Sequence, residues 1–154
     1  MRTLKNLLKG CKLPENLDLA LLISVFGVTP EGKIEGRTRI QKIICLLQSK
    51  ENLPFSFNYK PYYYGPYSDD LSEGINTLVG MKLLDEKIVP TRRGSYRYDY
   101  KLTDEGIKIF EKIQQKNEKV IKFLSENVTH YSSLNTPHLV NLAKKISGIP
   151  SITQ

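Results

Sequence analysis

The chain has 154 residues, with 23 Lys+Arg against 16 Asp+Glu, a formal charge of +7 and a pI near 9.3. That length favours one compact domain able to bury about 68–70 % of the surface its unfolded form exposes. A composition of 40 % hydrophobic and 25 % charged residues excludes a disordered or collagen-like chain. Cys11 and Cys45 stand alone, which excludes a disulfide scaffold or zinc ribbon, and His130 and His138 are too few for a histidine-built metal site.

The first apolar run is Leu17, Leu19 to Ile23, Val25, Phe26 and Val28, broken only by Asp18, Ser24 and Gly27. It is too short for a bilayer, which needs about 20 apolar residues. Thr29-Pro30-Glu31 is a poor signal-peptide cleavage site. Leu8-Lys9-Gly10-Cys11 has the look of a lipoprotein box, but no apolar stretch precedes it. The expectation is a core helix, opened by Pro14 or Asn16 and ending near Val28, in a cytoplasmic protein without membrane attachment.

Thr29-Pro30-Glu31-Gly32 breaks that helix. A second helix fits Arg37 to Gln48, because Ile40, Ile43, Ile44 and Leu47 fall at i, i+3, i+4 and i+7. Arg37, Arg39 and Lys42 are left for its other sides. Phe55, Phe57 and Tyr59 alternate with Ser56 and Asn58 and predict a short strand, although the prolines of residues 54–67 forbid a long central one. Ser68 is an N-cap for a third helix, with Asp69, Asp70 and Glu73 in its first turns and Leu71, Ile75, Leu78, Val79 and Leu83 on its apolar face.

The period then changes to two. Leu84 to Ile88 and Tyr96 to Leu102 read as a hairpin around Thr91-Arg92-Arg93-Gly94-Ser95, with Tyr96, Tyr98 and Tyr100 on its covered face. Thr103 caps a long fourth helix reaching Glu126, and Thr136-Pro137 opens a last one that stops near Gly148. The expected class is mainly α with a small β-hairpin. Three helices followed by a hairpin form a winged helix, a helix-turn-helix variant, within residues 1–110. Residues 111–154 would be a C-terminal helical extension.

Three segments carry a family resemblance: GRTRIQKIICLLQ (Gly36 to Gln48), YYYGPYSDDL (Tyr62 to Leu71) and GSYRYDYKLTDEG (Gly94 to Gly106). In this order they resemble the YwgA-like family of small winged-helix proteins. A looser similarity, a Gln-Lys pair with an apolar run and then Tyr-Gly-Pro, extends to the Panacea domain of antitoxin and adaptor proteins. The resemblance implies the winged-helix fold more strongly than it implies a function.

The basic excess has two readings, solubility or a polyanion partner. Residues 1–50 carry nine basic against four acidic residues (+5), residues 51–100 six against seven (−1), and residues 101–154 eight against five (+3). Arg92, Arg93 and Arg97 around Gly94-Ser95 suit a wing that pairs guanidinium with phosphate. Arg37, Arg39, Lys42 and Lys60 would add phosphate contacts from the second helix and its exit. The first function expected is therefore that of a transcriptional regulator bound to duplex DNA. Four to six phosphate contacts imply a log–log salt slope of about −4 to −5.

The third helix, however, presents Asp69, Asp70 and Glu73 where a recognition helix would meet the duplex, which is repulsive to phosphate. The alternative is a protein-interaction module, antitoxin- or adaptor-like, using that acidic helix and the tyrosines Tyr62, Tyr63, Tyr64 and Tyr67. Phe110, Ile113, Asn117, Val120 and Leu124 form a seam at three- and four-residue steps, a candidate for homodimerisation. No GxSxG, HExxH or phosphate-binding loop occurs, so no catalytic residue, metal or cofactor is expected, and the chain does not read as an enzyme.

Overall fold

The structure, a computed structural model, describes residues 17–152. The lipoprotein-like Leu8 to Cys11 and the helix start at Pro14 or Asn16 lie outside the described residues. Among the described residues the fold is mainly helical, with six α-helices and two small antiparallel sheets.

Helix α1 (Leu17–Gly27) is buried from Leu19 through Phe26, and its one internal hydroxyl, Ser24 Oγ, donates to Ala20 O at 2.9 Å. A helix apolar on every side belongs at the centre of the core. After a short 3₁₀ turn (Pro30–Gly32) comes β1 (Lys33–Glu35), a strand too short to leave a periodic signal. Helix α2 (Arg37–Ser49) follows the predicted span to within one residue.

The expected strand over Phe55, Phe57 and Tyr59 does not form. That segment is irregular, yet Phe55 and Phe57 are buried in the core with their rings 5.3 Å apart. Alternation reported which side chains point inward, and no neighbouring strand takes up the backbone. Asp18 instead accepts from Ser56 N, and Gln48 Nε2 donates to Phe57 O. The hairpin forms just afterwards, from β2 (Lys60–Tyr62) and β3 (Gly65–Tyr67), with Pro61 opposite Pro66.

Helix α3 (Asp69–Gly80) starts at the predicted cap: Ser68 Oγ accepts from Leu71 N at 3.1 Å. Strands β4 (Leu84–Pro90) and β5 (Tyr96–Leu102) make the predicted hairpin, in register from Leu84 opposite Leu102 to Pro90 opposite Tyr96. Only its base is covered, since Tyr100 is buried while Tyr96 is exposed. Strand β1 pairs on the other side of β5, with Ile34 opposite Tyr100, so the sheet order is β1-β5-β4.

The long fourth helix is two helices, α4 (Asp104–Lys116) and α5 (Glu118–Ser132). They break at Asn117, whose φ of −141° and ψ of 45° are non-helical and whose Nδ2 donates to Ile113 O at 2.9 Å. A short amide side chain bonded to a nearby carbonyl competes with the helix ladder. The last helix, α6 (Thr136–Ser147), is capped one residue earlier than predicted, by Asn135 Oδ1 accepting from His138 N, and it ends at Gly148 with φ +73°.

The proposed dimer seam is used inside the chain. Phe110, Ile113, Asn117, Val120 and Leu124 are all buried, and the Phe110 ring lies against Gly27 at the end of α1. Self-packing of the amphipathic α4 and α5 on the all-apolar α1 leaves these positions no face for a second copy. One buried cluster runs from Leu19 to Ala143, so residues on both sides of position 110 share a core.

Candidate functional site

The Gln-Lys pair of α2 and the Gly-Pro-Tyr-Ser segment, far apart in sequence, are locked together. Gln41 Nε2 donates to Ser68 O at 3.0 Å, and its Oε1 accepts from Ser68 N at 2.8 Å. One step along the helix, Lys42 Nζ donates to Pro66 O at 3.0 Å. Tyr67 joins the same network through a 2.8 Å hydroxyl contact with Ser72. Gly65, at φ +90°, makes the entry turn, and the Lys144 stem lies 2.7 Å from where a Cβ would stand, so glycine is required there on two counts.

Lys42 is 2 % exposed, which removes it from the candidate phosphate contacts. Burial pushes its ammonium pKa down to about 8, because desolvation disfavours the charged form. The unfolded chain therefore binds more protons than the folded one between pH 8 and the ordinary lysine value, and stability rises with pH across that window. The gain is opposed above pH 9, where the buried Cys45 thiol, held high by desolvation, stays protonated while its unfolded counterpart ionises. Lys42→Met is expected to abolish the rise: urea titrations at pH 7.5 and 9 should show the wild-type chain gaining about 1 kcal/mol relative to the variant. An equal response of the two proteins would refute a lowered Lys42 pKa in this pocket.

Four further basic candidates have partners within the chain. Arg37 lies 4.0 Å above the Tyr98 ring and donates to Tyr100 Oη at 2.9 Å and Glu86 at 3.4 Å. Arg39 donates to the carbonyls of Leu134 and Ser132 at 2.9 and 3.1 Å and to Thr136 Oγ1 at 3.2 Å. It thereby satisfies backbone acceptors between α5 and α6 that the helix ladder leaves open. Lys60 pairs with Asp69 at 2.8 Å. Arg97 pairs with the buried Asp99 at 2.8 Å and with Glu35 at 3.3 Å. The structure does bring Arg37, Arg39 and Arg97 to one open groove with Tyr96 and Tyr98, but their carboxylate and carbonyl partners come with them.

Arg92 and Arg93 are different. Both are exposed in the Thr91–Ser95 tip, and neither makes an ion pair with any described residue. The tip itself is fixed by Thr91 N donating to Ser95 O at 2.9 Å.

Asp69 and Asp70 of α3 are exposed but have partners within the chain. Asp70 accepts from Asn58 N and Nδ2 at 3.0 and 3.2 Å, and Asp69 holds Lys60. The tyrosines divide by position. Tyr62, Tyr63 and Tyr64, at the turn of the β2–β3 hairpin, are 37, 50 and 61 % exposed. The Tyr62 ring lies 4.7 Å from Tyr63 and 4.5 Å from Tyr67, a continuous aromatic cap. Tyr59 is half-buried against the core, and desolvation pushes its phenol pKa up. Tyr100 is buried beneath the sheet and donates to Glu86 at 2.6 Å.

Sequence reasoning missed the chain's return to this hairpin. Ser151 bridges Tyr62 in parallel, and Ile152 N donates to Tyr62 O at 2.8 Å. Two residues beyond Pro150 carry no periodic signal that could have announced it. Among the described residues, no three His, Cys, Asp or Glu side chains gather as a metal site, and no helix is long and apolar enough to cross a membrane.

No family model matches the sequence, and no solved structure matches the fold. The chain is similar to uncharacterized protein YwgA of Bacillus subtilis (strain 168), with 38 % identity over 88 residues, covering 56 % of this chain and 50 % of that protein. The chain thus spans about half the length of the curated relative it matches. Over the matched residues the chain is YwgA-like.

Proposed function

We propose that this chain is a protein-interaction module on a winged-helix frame, which docks its partner through the tyrosine cap of the β2–β3 hairpin. The frame is supported by the element order α1-β1-α2-α3-β4-β5 and the sheet order β1-β5-β4, a three-helix cluster closed by a three-stranded wing sheet. The 19 residues that separate α2 from α3 (50–68) exceed a tight helix-turn-helix connection, and the hairpin occupies that insertion.

The observation that carries the proposal is the exposure of Tyr62, Tyr63 and Tyr64 side by side. Rigid aromatic faces with one hydroxyl each are the commonest anchors of protein interfaces. A photo-crosslinking residue, benzoylphenylalanine, in place of Tyr64 is expected to give a discrete protein adduct in cell extract. Tyr62→Ala/Tyr63→Ala should remove it. Absence of an adduct, or an adduct that survives the double substitution, overturns the proposal.

One observation favours a second reading, contact with duplex DNA: Arg92 and Arg93 stand free at the wing tip. Two phosphate contacts imply a log–log salt slope of about −2, well below the value of about −4 to −5 expected from four to six contacts. Duplex binding of that slope, abolished by Arg92→Ala/Arg93→Ala, would establish it.

A further inference from the structure

Strand β2 has two edges. One is paired with β3, and the other carries the chain's own C-terminal residues. The seat is slight: one parallel bridge, the Ile152 N bond to Tyr62 O at 2.8 Å, and Lys144 Nζ donating to Ser151 Oγ at 3.1 Å. Gly148, with φ +73°, turns the chain out of α6 and toward the hairpin. The strand beneath is exposed along its whole length, and Ile152 remains 46 % exposed although it pairs. A sheet edge with open backbone groups is a template for an added strand, and extended segments use such edges to bind by main-chain hydrogen bonds.

We infer that the outer edge of β2 is a docking site for an extended segment of a partner protein, and that Ser151 and Ile152 occupy it in cis. The inference rests on the β2–β3 hairpin being the partner surface. The seated tail specifies the chemistry of the occupant. Its backbone runs parallel to β2 at the bridge between Ser151 and Tyr62. One residue places a hydroxyl or carboxylate oxygen at the Lys144 ammonium, and the next is aliphatic, beside the tyrosine cap. A tail tethered to its own edge competes at high effective concentration, so the partner segment must displace it.

The test uses the full chain and a labelled peptide of its own sequence from Ser147 to Gln154 as probe. Ile152→Pro deletes the N–H that donates to Tyr62 O and so loosens the tail without touching the core. The peptide is expected to bind the Ile152→Pro chain at least about tenfold more tightly than the wild-type chain, because the intramolecular competitor is weakened. Adding Lys144→Ala to the Ile152→Pro chain should weaken the peptide severalfold.

Equal binding to wild-type and Ile152→Pro chains, no binding to either, or full affinity after Lys144→Ala each overturns the inference. Peptide binding needs no cellular partner. Tight binding to Ile152→Pro without an adduct from position 64 supports the edge and removes the partner reading. An adduct without peptide binding removes the edge.

Discussion

Gly106→Ala is expected to lower stability by more than about 3 kcal/mol, against the ordinary gain of about 1 kcal/mol when alanine replaces glycine inside a helix. Gly106 stands in the first turn of α4, where its N–H donates to the capping Thr103 Oγ1 at 3.0 Å. The same threonine binds the α3–β4 connection twice, donating from Oγ1 to Lys82 O at 2.7 Å and from N to Leu83 O at 3.1 Å. The helix start is therefore pressed onto that connection.

A Cβ on residue 106 would lie 2.3 Å from Leu83 O and 3.0 Å from Leu102 Cδ2. A carbonyl oxygen in a bonded turn cannot rotate away as a side-chain tip can, so α4 must lift, and the cap with it. In a thermal melt the loss corresponds to a midpoint lower by about 10 °C. A variant as stable as the wild-type chain would show that α4 does not approach this turn, and the packing of α4 and α5 on α1 would have to be redrawn.

That close approach marks where sequence reasoning succeeds and where it stops. Ser68 and Thr103 could be assigned as caps because a cap is a local device, satisfied within three residues. The apolar face of α2 was legible for the same reason, since a helix face repeats within seven residues. The functional assignment of the basic residues was not legible. Arg37 and Arg39 find their partners 63 and 95 positions away, and nothing local distinguishes a guanidinium that closes a helix end from one that faces solvent. Lys42 differs in that its neighbours on the helix, Gln41 and Ile43, are buried with it, so α2 has almost no solvent side at that level.

The exposed tyrosines of the hairpin were legible as a cluster. Their division into an outer cap and the inward Tyr59 and Tyr100 depended on the β2–β3 turn and on β1, whose three residues have meaning only beside β5. The break at Asn117 escaped for a related reason: an amide in an apolar seam fits both a register-setting contact and a helix end, and only its bond to Ile113 O decides.

Gln41→Leu is expected to cost about 2 kcal/mol and to act on the hairpin before it acts on the rest of the fold. Leucine retains most of the volume but neither hydrogen-bonding atom. It orphans Ser68 N–H, in a residue whose exposure is 0 %, whereas Ser68 C=O keeps its bond from Ser72 N at 3.2 Å. An unsatisfied buried backbone N–H costs about 1–3 kcal/mol. Ser68 is also the cap of α3, so the first turn of that helix and the Pro66–Tyr67 segment loosen as a unit.

Ser72→Ala serves as the control. It removes one acceptor of Gln41 Nε2, the 3.2 Å bond, together with the 2.8 Å contact to the Tyr67 hydroxyl, and leaves both bonds between Gln41 and the Ser68 backbone in place. It should cost about 1 kcal/mol in urea unfolding. Gln41→Leu within about 1 kcal/mol of the wild-type chain would deny the clamp its role. The clamp also ties stability to function: because it anchors the strand beneath the tyrosine cap, Gln41→Leu should abolish the protein adduct formed from position 64 at temperatures where the chain is still folded. Duplex binding through Arg92 and Arg93, on the far hairpin, should be untouched. Loss of both activities together would mean that the two hairpins report on a single surface.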